Sequence, residues 1–165
     1  MKQRLFFFFL LFAFSITCSD EIKAKNQPME KASEFTIPSL SEEAISLSDF
    51  RGQIVILNFW TTWCNYCQEE MSELNKFTNE NKAQNIVLIG VNVTSSESSK
   101  NVVSNFAKQF NLTFPIGLDL TGKVAKDYHL MGIPTTIIID QKGIIRNKLL
   151  GPVTDDMLHN AISQL

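Results

Sequence analysis

The sequence has 165 residues with a formal net charge of −2, and 44% of its residues are hydrophobic. This length allows one domain of ordinary size with a short extension, and the apolar content is ample for its core. The charge shows no basic excess, so nucleic acid is not expected as a partner.

The first residues are typical of a targeting segment rather than of a folded domain. Lys2 and Arg4 give a positive start, and residues 5–16 form an apolar run that matches the core of a signal peptide and is short for a membrane span. Cys18 follows this run and is a candidate for lipidation, although the residues before it depart from the usual lipoprotein pattern. We assign residues 1–19 to a signal peptide or membrane anchor. A lipoprotein, an uncleaved anchor and a cleaved signal all stay open, with the domain at the outer face of the cell membrane or secreted.

A polar stretch and a hairpin precede the first buried strand. Residues 20–33 are rich in Lys, Glu and Asn, which predicts a solvated tether between the membrane and a domain at residues 34–165. Residues 35–47 carry short alternating apolar residues around Pro38, the pattern of a hairpin at a sheet edge. The run at 54–60 is nearly all apolar and β-branched or aromatic, as in a central strand covered on both faces.

Two cysteines at C-x-x-C spacing follow this strand, where it gives way to a helix. The helical spacing is that of Cys67, Met71, Leu74 and Phe77. Free backbone N–H groups and the helix dipole at a helix N-terminus favour a thiolate over a thiol. We therefore predict that Cys64 is the nucleophile and that Cys67 is the resolving thiol.

This spacing beside a strand–helix pattern is typical of a thioredoxin-like redox motif. Its disulfide is itself the reactive group, so neither a cofactor nor a metal is expected. The alternative is half of a structural zinc site. A zinc site needs two more thiolate or imidazole ligands, and the sequence offers only Cys18, His129 and His159.

One acidic residue lies on the apolar face of the predicted helix. At about 100° per residue, Glu70 falls inside the arc of the apolar residues, whereas Glu69 and Glu73 fall outside it. Burial raises a carboxyl pKa, which would suit Glu70 to exchange a proton with Cys67. The alternative is a carboxylate at the rim of the core that reaches water.

Strands and helices alternate along the rest of the chain. A buried strand is predicted at 86–93, then an amphipathic helix around residues 102–110, a short strand at 114–119 and a short helix at 124–128. This order indicates an α/β sandwich with parallel central strands.

The last elements begin at a proline. Pro134 precedes a strand at 137–140 and is tolerable only as a first residue of that strand. An antiparallel strand is predicted at 144–150. Thr154 is placed to cap a final helix whose inward residues are predicted to be Met157, Leu158, Ala161, Ile162 and Leu165.

The motifs, in this order, carry a family resemblance. Residues 60–67, Glu70, 114–119 and 132–136 are similar to those of the extracytoplasmic thioredoxin-like proteins of the ResA, TlpA and StoA group, and most similar to StoA and ResA. The resemblance covers about residues 35–165. It implies a thioredoxin-like fold: an α/β sandwich with a mixed central sheet, an N-terminal edge hairpin and a family insertion between the central strand and a cis-proline.

The resemblance also implies an activity and roles for single residues. Members of the group are membrane-attached thiol-disulfide oxidoreductases that mainly reduce exported proteins, namely apocytochrome c or proteins of spore-cortex synthesis. Cys64 matches their exposed attacking thiol, Cys67 its buried partner and Glu70 their active-site glutamate. Pro134 matches the cis-proline that faces the disulfide, and Ile133 would offer its backbone to an extended substrate. The electron donor would be a membrane thiol transporter of the CcdA type.

Some residues depart from the pattern of the group. The dipeptide Asn65-Tyr66 replaces one that usually ends in proline, and Gln68-Glu69 replaces the commoner lysines, which removes positive charge and weakens thiolate stabilisation. Asn58 stands where cytoplasmic thioredoxins keep a buried aspartate, so the proton-handling role falls to Glu70. Because the reduction potential depends on these residues, a disulfide oxidant or isomerase is an open alternative. A copper chaperone on the same fold is another, although its wider thiol spacing and paired histidine are missing.

The sequence also contains two tryptophans and two histidines, whose positions in the fold can be predicted. Trp60 is predicted in the core because of its strand, whereas Trp63 beside Cys64 is assigned either to a substrate groove or to the core. His129 and His159 are predicted at the surface.

Overall fold

The computed structural model describes residues 30–41 and 43–165, so Cys18, the predicted leader and most of the predicted tether lie outside the described residues. The strands are β1 (Thr36–Ile37), β2 (Ile45–Ser46), β3 (Ile54–Trp60), β4 (Ile86–Asn92), β5 (Ile116–Leu118), β6 (Thr135–Ile139) and β7 (Ile145–Leu150). The α-helices are α1 (Asn65–Glu80), α2 (Lys100–Gln109), α3 (Lys123–Asp127) and α4 (Asp155–Ile162). Within the described ranges, no helix is both long enough and apolar enough to span a bilayer.

The central sheet is mixed, as predicted. Its strand order is β5-β4-β3-β6-β7. Strand β3 pairs in parallel with β4, and β4 in parallel with β5, whereas β6 is antiparallel to β3 and β7 is antiparallel to β6. Strand β3 lies in the middle, and all of its residues after Ile54 are buried, which explains its nearly unbroken apolar sequence.

The N-terminal hairpin is also confirmed, with one refinement. Strands β1 and β2 form a two-stranded antiparallel sheet of their own. The chain between them meets the edge strand β5 through a bridge from Ser39 to Gly117, and the Leu40 N–H donates to the Ile116 carbonyl at 3.1 Å. A Cβ atom at Gly117 would come within 2.6 Å of Ile37, so glycine allows the hairpin to lie close against the edge strand.

Strand β5 and helix α3 lie between α2 and Pro134, within the region for which the insertion is predicted. Asp119 fixes this segment, since its buried carboxylate accepts a hydrogen bond from the Ala125 N–H at 2.9 Å in the first turn of α3. Hydrophobic clusters cover both faces of the sheet. One contains the apolar face of α1 with Trp60 and Phe106, whose rings lie 4.9 Å apart, and the other contains the hairpin and Tyr128.

The predicted tether boundary is wrong at residues 30–33. Ala32 is buried and donates to the Gly143 carbonyl at 2.9 Å, and Glu30 accepts from the Ile145 N–H at 2.8 Å. The Tyr128 hydroxyl donates to the Ser33 carbonyl at 2.9 Å. These contacts are made by the main chain, which explains why the polar composition of the segment gave no sign of them.

The C-terminal helix differs from the prediction at two side chains. Thr154 caps α4 as predicted, since its hydroxyl accepts from the Met157 N–H at 3.3 Å. Leu158 and Ala161 are buried, but Met157 and Leu165 are exposed. Met157 lies about 100° around the helix from Leu158, and Leu165 follows the end of α4, so neither belongs to the buried stripe.

Candidate active site

The C-x-x-C pair lies at the junction of β3 and α1. Cys64 is the N-cap of α1 and forms a disulfide with Cys67, with the two Cα atoms 5.2 Å apart. The Cys64 sulfur accepts a hydrogen bond from the Cys67 N–H at 3.1 Å. This N–H lies at the positive end of α1, so it would stabilise negative charge on Cys64 once the disulfide is opened.

The two sulfurs differ in access to solvent. Cys64 is 7% exposed, whereas Cys67 is completely buried. Trp63 precedes Cys64 and Tyr66 lies between the two cysteines. Trp63 is 59% exposed, so it lies at the surface rather than in the core. Trp60, in contrast, is buried as predicted. A substrate thiol or disulfide approaching from solvent therefore reaches Cys64 first.

Glu70 lies one helical turn after Cys67, on the buried face of α1, and is only 1% exposed. Its Oε1 accepts a hydrogen bond from Asn58 Nδ2 at 2.8 Å, and its Oε2 accepts from the Val153 N–H at 2.8 Å. Burial raises the pKa of Glu70 from 4.5 to about 7, and the two hydrogen bonds offset only part of that effect. A carboxyl group with this pKa can both accept and release a proton near neutral pH.

Asn58 links Glu70 to the neighbouring strand. Its amide Nδ2 donates to Thr136 Oγ1 at 3.1 Å as well as to Glu70, while its Oδ1 is buried with no hydrogen-bond partner among the described residues. Turning the amide over would offer Oδ1 to the hydroxyl of a protonated Glu70, and Thr136 can then donate instead of accept. Asn58 is thus suited to both protonation states of Glu70.

The proline loop is tied to the same carboxylate. The Ile133–Pro134 peptide bond is cis, as predicted. Pro134 accepts from the Gly151 N–H at 2.9 Å, and two residues later Val153 donates to Glu70. Within the described chain, the backbone N–H and C=O of half-buried Ile133 make no hydrogen bond. The loop therefore offers an unused donor and acceptor, which the predicted role of Ile133 requires.

Glu97 is a site residue that the sequence analysis missed. Its half-buried carboxylate accepts from the Thr62 N–H at 2.7 Å, from Thr62 Oγ1 at 2.7 Å and from Asn92 Nδ2 at 2.9 Å. Next to it, the indole N–H of Trp63 donates to the Ser96 carbonyl at 3.2 Å. These contacts fix the two residues before Cys64. Glu97 lies in a polar loop far along the sequence, so only the parallel pairing of β3 and β4 reveals its position.

The histidines lie elsewhere. His129 is exposed at a positive φ of 50°, and His159 packs against the ring of Phe77 with centroids 5.1 Å apart. In the described part of the chain, Cys64 and Cys67 belong to no cluster of three potential metal ligands. Both sulfurs of the C-x-x-C pair are joined in a disulfide, as its spacing beside a strand–helix pattern predicts for a redox motif.

Comparison with known proteins assigns the chain to a family. The model of the AhpC/TSA family matches residues 28–148. The thioredoxin-like protein YneN of Bacillus subtilis is 41% identical over 78% of this chain and 74% of its own length. The sporulation thiol-disulfide oxidoreductase A of Bacillus subtilis is 37% identical, covering 75% and 74% of the two chains. The thiol-disulfide oxidoreductase ResA of Bacillus cereus is 31% identical, covering 86% and 82%.

The chain belongs to the AhpC/TSA family. Within this family it is a thiol-disulfide oxidoreductase of the ResA and StoA type.

Solved structures of the family agree with the fold. The crystal structure of StoA from Bacillus subtilis superposes with a TM-score of 0.72 at 35% identity, covering 79% of this chain and 97% of StoA. A putative thiol:disulfide interchange protein DsbE from Chlorobium tepidum gives a TM-score of 0.75 at 26% identity, covering 82% and 95%. The thioredoxin-like fold implied by the sequence motifs is thereby confirmed.

Proposed function

We propose that this oxidoreductase reduces disulfides in exported proteins at the outer face of the cell membrane. The observation that carries the proposal is the C-x-x-C pair at the start of α1, in which Cys64 keeps a small exposed area, Cys67 is completely buried and Glu70 is buried one turn after Cys67. This arrangement supplies an accessible thiolate, a resolving thiol and a proton acceptor with a pKa near neutrality.

The proposed reaction starts from the reduced protein. The Cys64 thiolate attacks one sulfur of the substrate disulfide, forms a mixed disulfide with it, and expels the other sulfur as a thiolate. Cys67 then gives its proton to Glu70 and attacks the Cys64 sulfur. This step forms the Cys64–Cys67 disulfide and releases the second substrate sulfur. The substrate gains two electrons and takes up two protons, one passed on from Glu70 and one from solvent, and the protein is left oxidised, without any cofactor beyond its own disulfide.

The substrate would bind as an extended segment along the proline loop. The free backbone groups of Ile133 beside Pro134 suit strand addition, and the exposed ring of Trp63 offers an apolar contact next to Cys64. Apocytochrome c and proteins of spore-cortex synthesis are the substrates we propose. The relative named sporulation thiol-disulfide oxidoreductase A supports the second class.

The proposed location requires an electron supply across the membrane. A membrane thiol transporter of the CcdA type would reopen the Cys64–Cys67 disulfide after each turnover, since no glutathione buffer supplies electrons outside the cell. The apolar run at residues 5–16 would hold the protein at the membrane, with or without lipidation of Cys18.

Reduction of a protein disulfide tests the proposal. The full-length chain, given dithiothreitol as electron source, should reduce insulin or disulfide-bonded apocytochrome c. Cys64→Ala should abolish the activity, and Cys67→Ser should accumulate a mixed disulfide through Cys64 that is visible on a non-reducing gel. A Cys64→Ala variant as active as the parent would refute the proposal.

The direction of the reaction is tested by the reduction potential. Equilibration of the Cys64–Cys67 pair with a glutathione or dithiothreitol series should give a potential near that of thioredoxin, at about −270 mV. A potential above about −180 mV would instead favour the oxidant or isomerase alternative.

A further inference from the structure

A second group of chemically reactive side chains lies where α1 packs against α4, away from the disulfide. Glu80 is the last residue of α1, and Asp155 and His159 are four residues apart on α4, so they lie one turn apart on the same face. One ligand atom from each of the three lies within 4.8 Å of the others. The group therefore brings one imidazole and two carboxylates together from two helices.

Asp155 carries a buried oxygen that accepts no hydrogen bond in the described structure. The residue is 4% exposed, and its Oδ2 accepts from Lys76 Nζ at 2.8 Å. Its Oδ1 is buried with no hydrogen-bond partner and points toward His159 Nε2, 3.5 Å away. Because an unsatisfied buried carboxylate oxygen is costly, an atom that binds between Asp155 and His159 would stabilise the protein.

The local charge favours a cation in that position. The carboxylates of Asp155, Glu80 and Asp156 act together on the single ammonium group of Lys76, which leaves an excess of negative charge around it. The ring of His159 is held against Phe77, with centroids 5.1 Å apart, so its orientation is restricted. A restricted imidazole facing two carboxylates is a typical donor set for a transition metal.

We propose that Glu80, Asp155 and His159 bind Zn²⁺ and thereby join the end of α1 to α4. Imidazole with carboxylate oxygens suits Zn²⁺, whereas Mg²⁺ and Ca²⁺ take oxygen ligands alone. Tetrahedral ligands of zinc lie about 3.4 Å apart, so the group must close slightly around the ion. Glu80 is exposed at the end of α1 and can move toward the ion, and water would complete the coordination.

The two histidines of the sequence provide a matched pair of variants for the test. Zn²⁺ is titrated into the full-length chain, with the disulfide intact and Cys18→Ser in every variant, so that no free thiol can bind the metal. We expect Zn²⁺ to raise the melting temperature by a few degrees, as binding to the folded state requires. His159→Ala should weaken Zn²⁺ binding by about ten-fold or more, and His129→Ala should leave it unchanged.

A spectroscopic measurement separates the proposed site from any other. Co²⁺ bound in place of Zn²⁺ should give visible absorption bands without the charge-transfer band of a thiolate ligand, and these bands should disappear in His159→Ala and weaken in Glu80→Gln. Circular dichroism of both variants without metal verifies that they are folded. The absence of any Zn²⁺-dependent shift in the parent, or its persistence in His159→Ala, would overturn the proposal.

Discussion

Two carboxylates, Glu70 and Glu97, contact residues at the junction of β3 and α1, and their surroundings give them different chemistry. Glu70 lies beneath the cysteines, almost without solvent, and accepts two hydrogen bonds, from Asn58 and Val153. Glu97 lies at the side of the junction, is half-buried, and accepts three, two of them from Thr62. Burial raises the pKa of Glu70 and suits it to carry a proton, whereas the three hydrogen bonds that Glu97 accepts suit it to hold the loop before Cys64 as a clamp.

The same substitution should therefore act differently at the two positions. Glutamine at position 97 keeps an oxygen for the Thr62 N–H, and its Nε2 can donate to Thr62 Oγ1, which is able to accept. Glutamine at position 70 keeps an acceptor for Val153 and can donate to Oδ1 of a turned Asn58 amide. Both variants should fold, but only the change at position 70 removes the buried carboxyl proposed to exchange a proton with Cys67.

The largest expected effect is the pH dependence of stability that Glu70 causes. The carboxyl group has a pKa of about 7 in the folded protein against 4.5 as its ordinary value, so between these values the folded state holds more protons than the unfolded state. The free energy of unfolding should therefore fall by about 3 kcal/mol as pH rises from about 4.5 to about 7. Below pH 4.5 the carboxyl is protonated in both states, and its full contribution to the stability of the folded state is retained.

Urea unfolding of the oxidised protein between pH 4 and pH 8 measures this effect. Glu70→Gln should lose this part of the pH dependence, so the difference in unfolding free energy between the parent and the variant should change by about 3 kcal/mol across the range. Glu69→Gln changes an exposed carboxylate on the same helix and should run parallel to the parent. Parallel curves for Glu70→Gln and the parent would contradict a raised pKa of Glu70 in the folded protein.

The second prediction concerns the rate of disulfide exchange. If Glu70 accepts the proton of Cys67, Glu70→Gln should slow insulin reduction at pH 7 by about 100-fold, the lower end of what proton transfer by a positioned group contributes. The step in the pH–rate profile near pH 7 should disappear with it. Glu97→Gln serves as the matched control, and an equal loss of rate there would show that general negative charge, rather than a proton acceptor, is needed.

The clamp at Glu97 should have a smaller effect. Glu97→Ala leaves the Thr62 N–H and the buried amide of Asn92 without this acceptor, so it should lower the unfolding free energy by about 1–2 kcal/mol. Loss of position in the loop before Cys64 should slow reduction by about ten-fold. If Glu97 acts as a clamp through its hydrogen bonds, Glu97→Gln should keep the unfolding free energy and the rate close to those of the parent. An alanine variant with parental activity would remove Glu97 from the site.

The contrast between Glu70 and Glu97 also explains how much of the site could be predicted from the sequence. Glu70 was found because its neighbours on α1 share a helical period, and the cysteines because their spacing is a motif. Glu97 acts through Thr62, which lies 35 residues earlier in the sequence, and a polar loop gives no periodic signal. The packing of residues 30–33 was missed for a similar reason, since backbone pairing with the β6–β7 turn leaves no trace in side-chain composition.

The smallest expected effect concerns Trp63, the exposed aromatic residue between Thr62 and Cys64. Trp63 is largely exposed and donates its indole N–H to the Ser96 carbonyl. Trp63→Phe keeps an aromatic face and loses only the hydrogen bond, whereas Trp63→Ala loses both, and neither should change stability by more than about 0.5 kcal/mol. If the ring contacts substrate, KM for a protein disulfide should rise a few-fold in Trp63→Ala and less in Trp63→Phe, with kcat unchanged, because the lost contact is made equally in the ground and transition states. A fall in kcat with unchanged KM would place Trp63 with Glu97 as part of the support for Cys64.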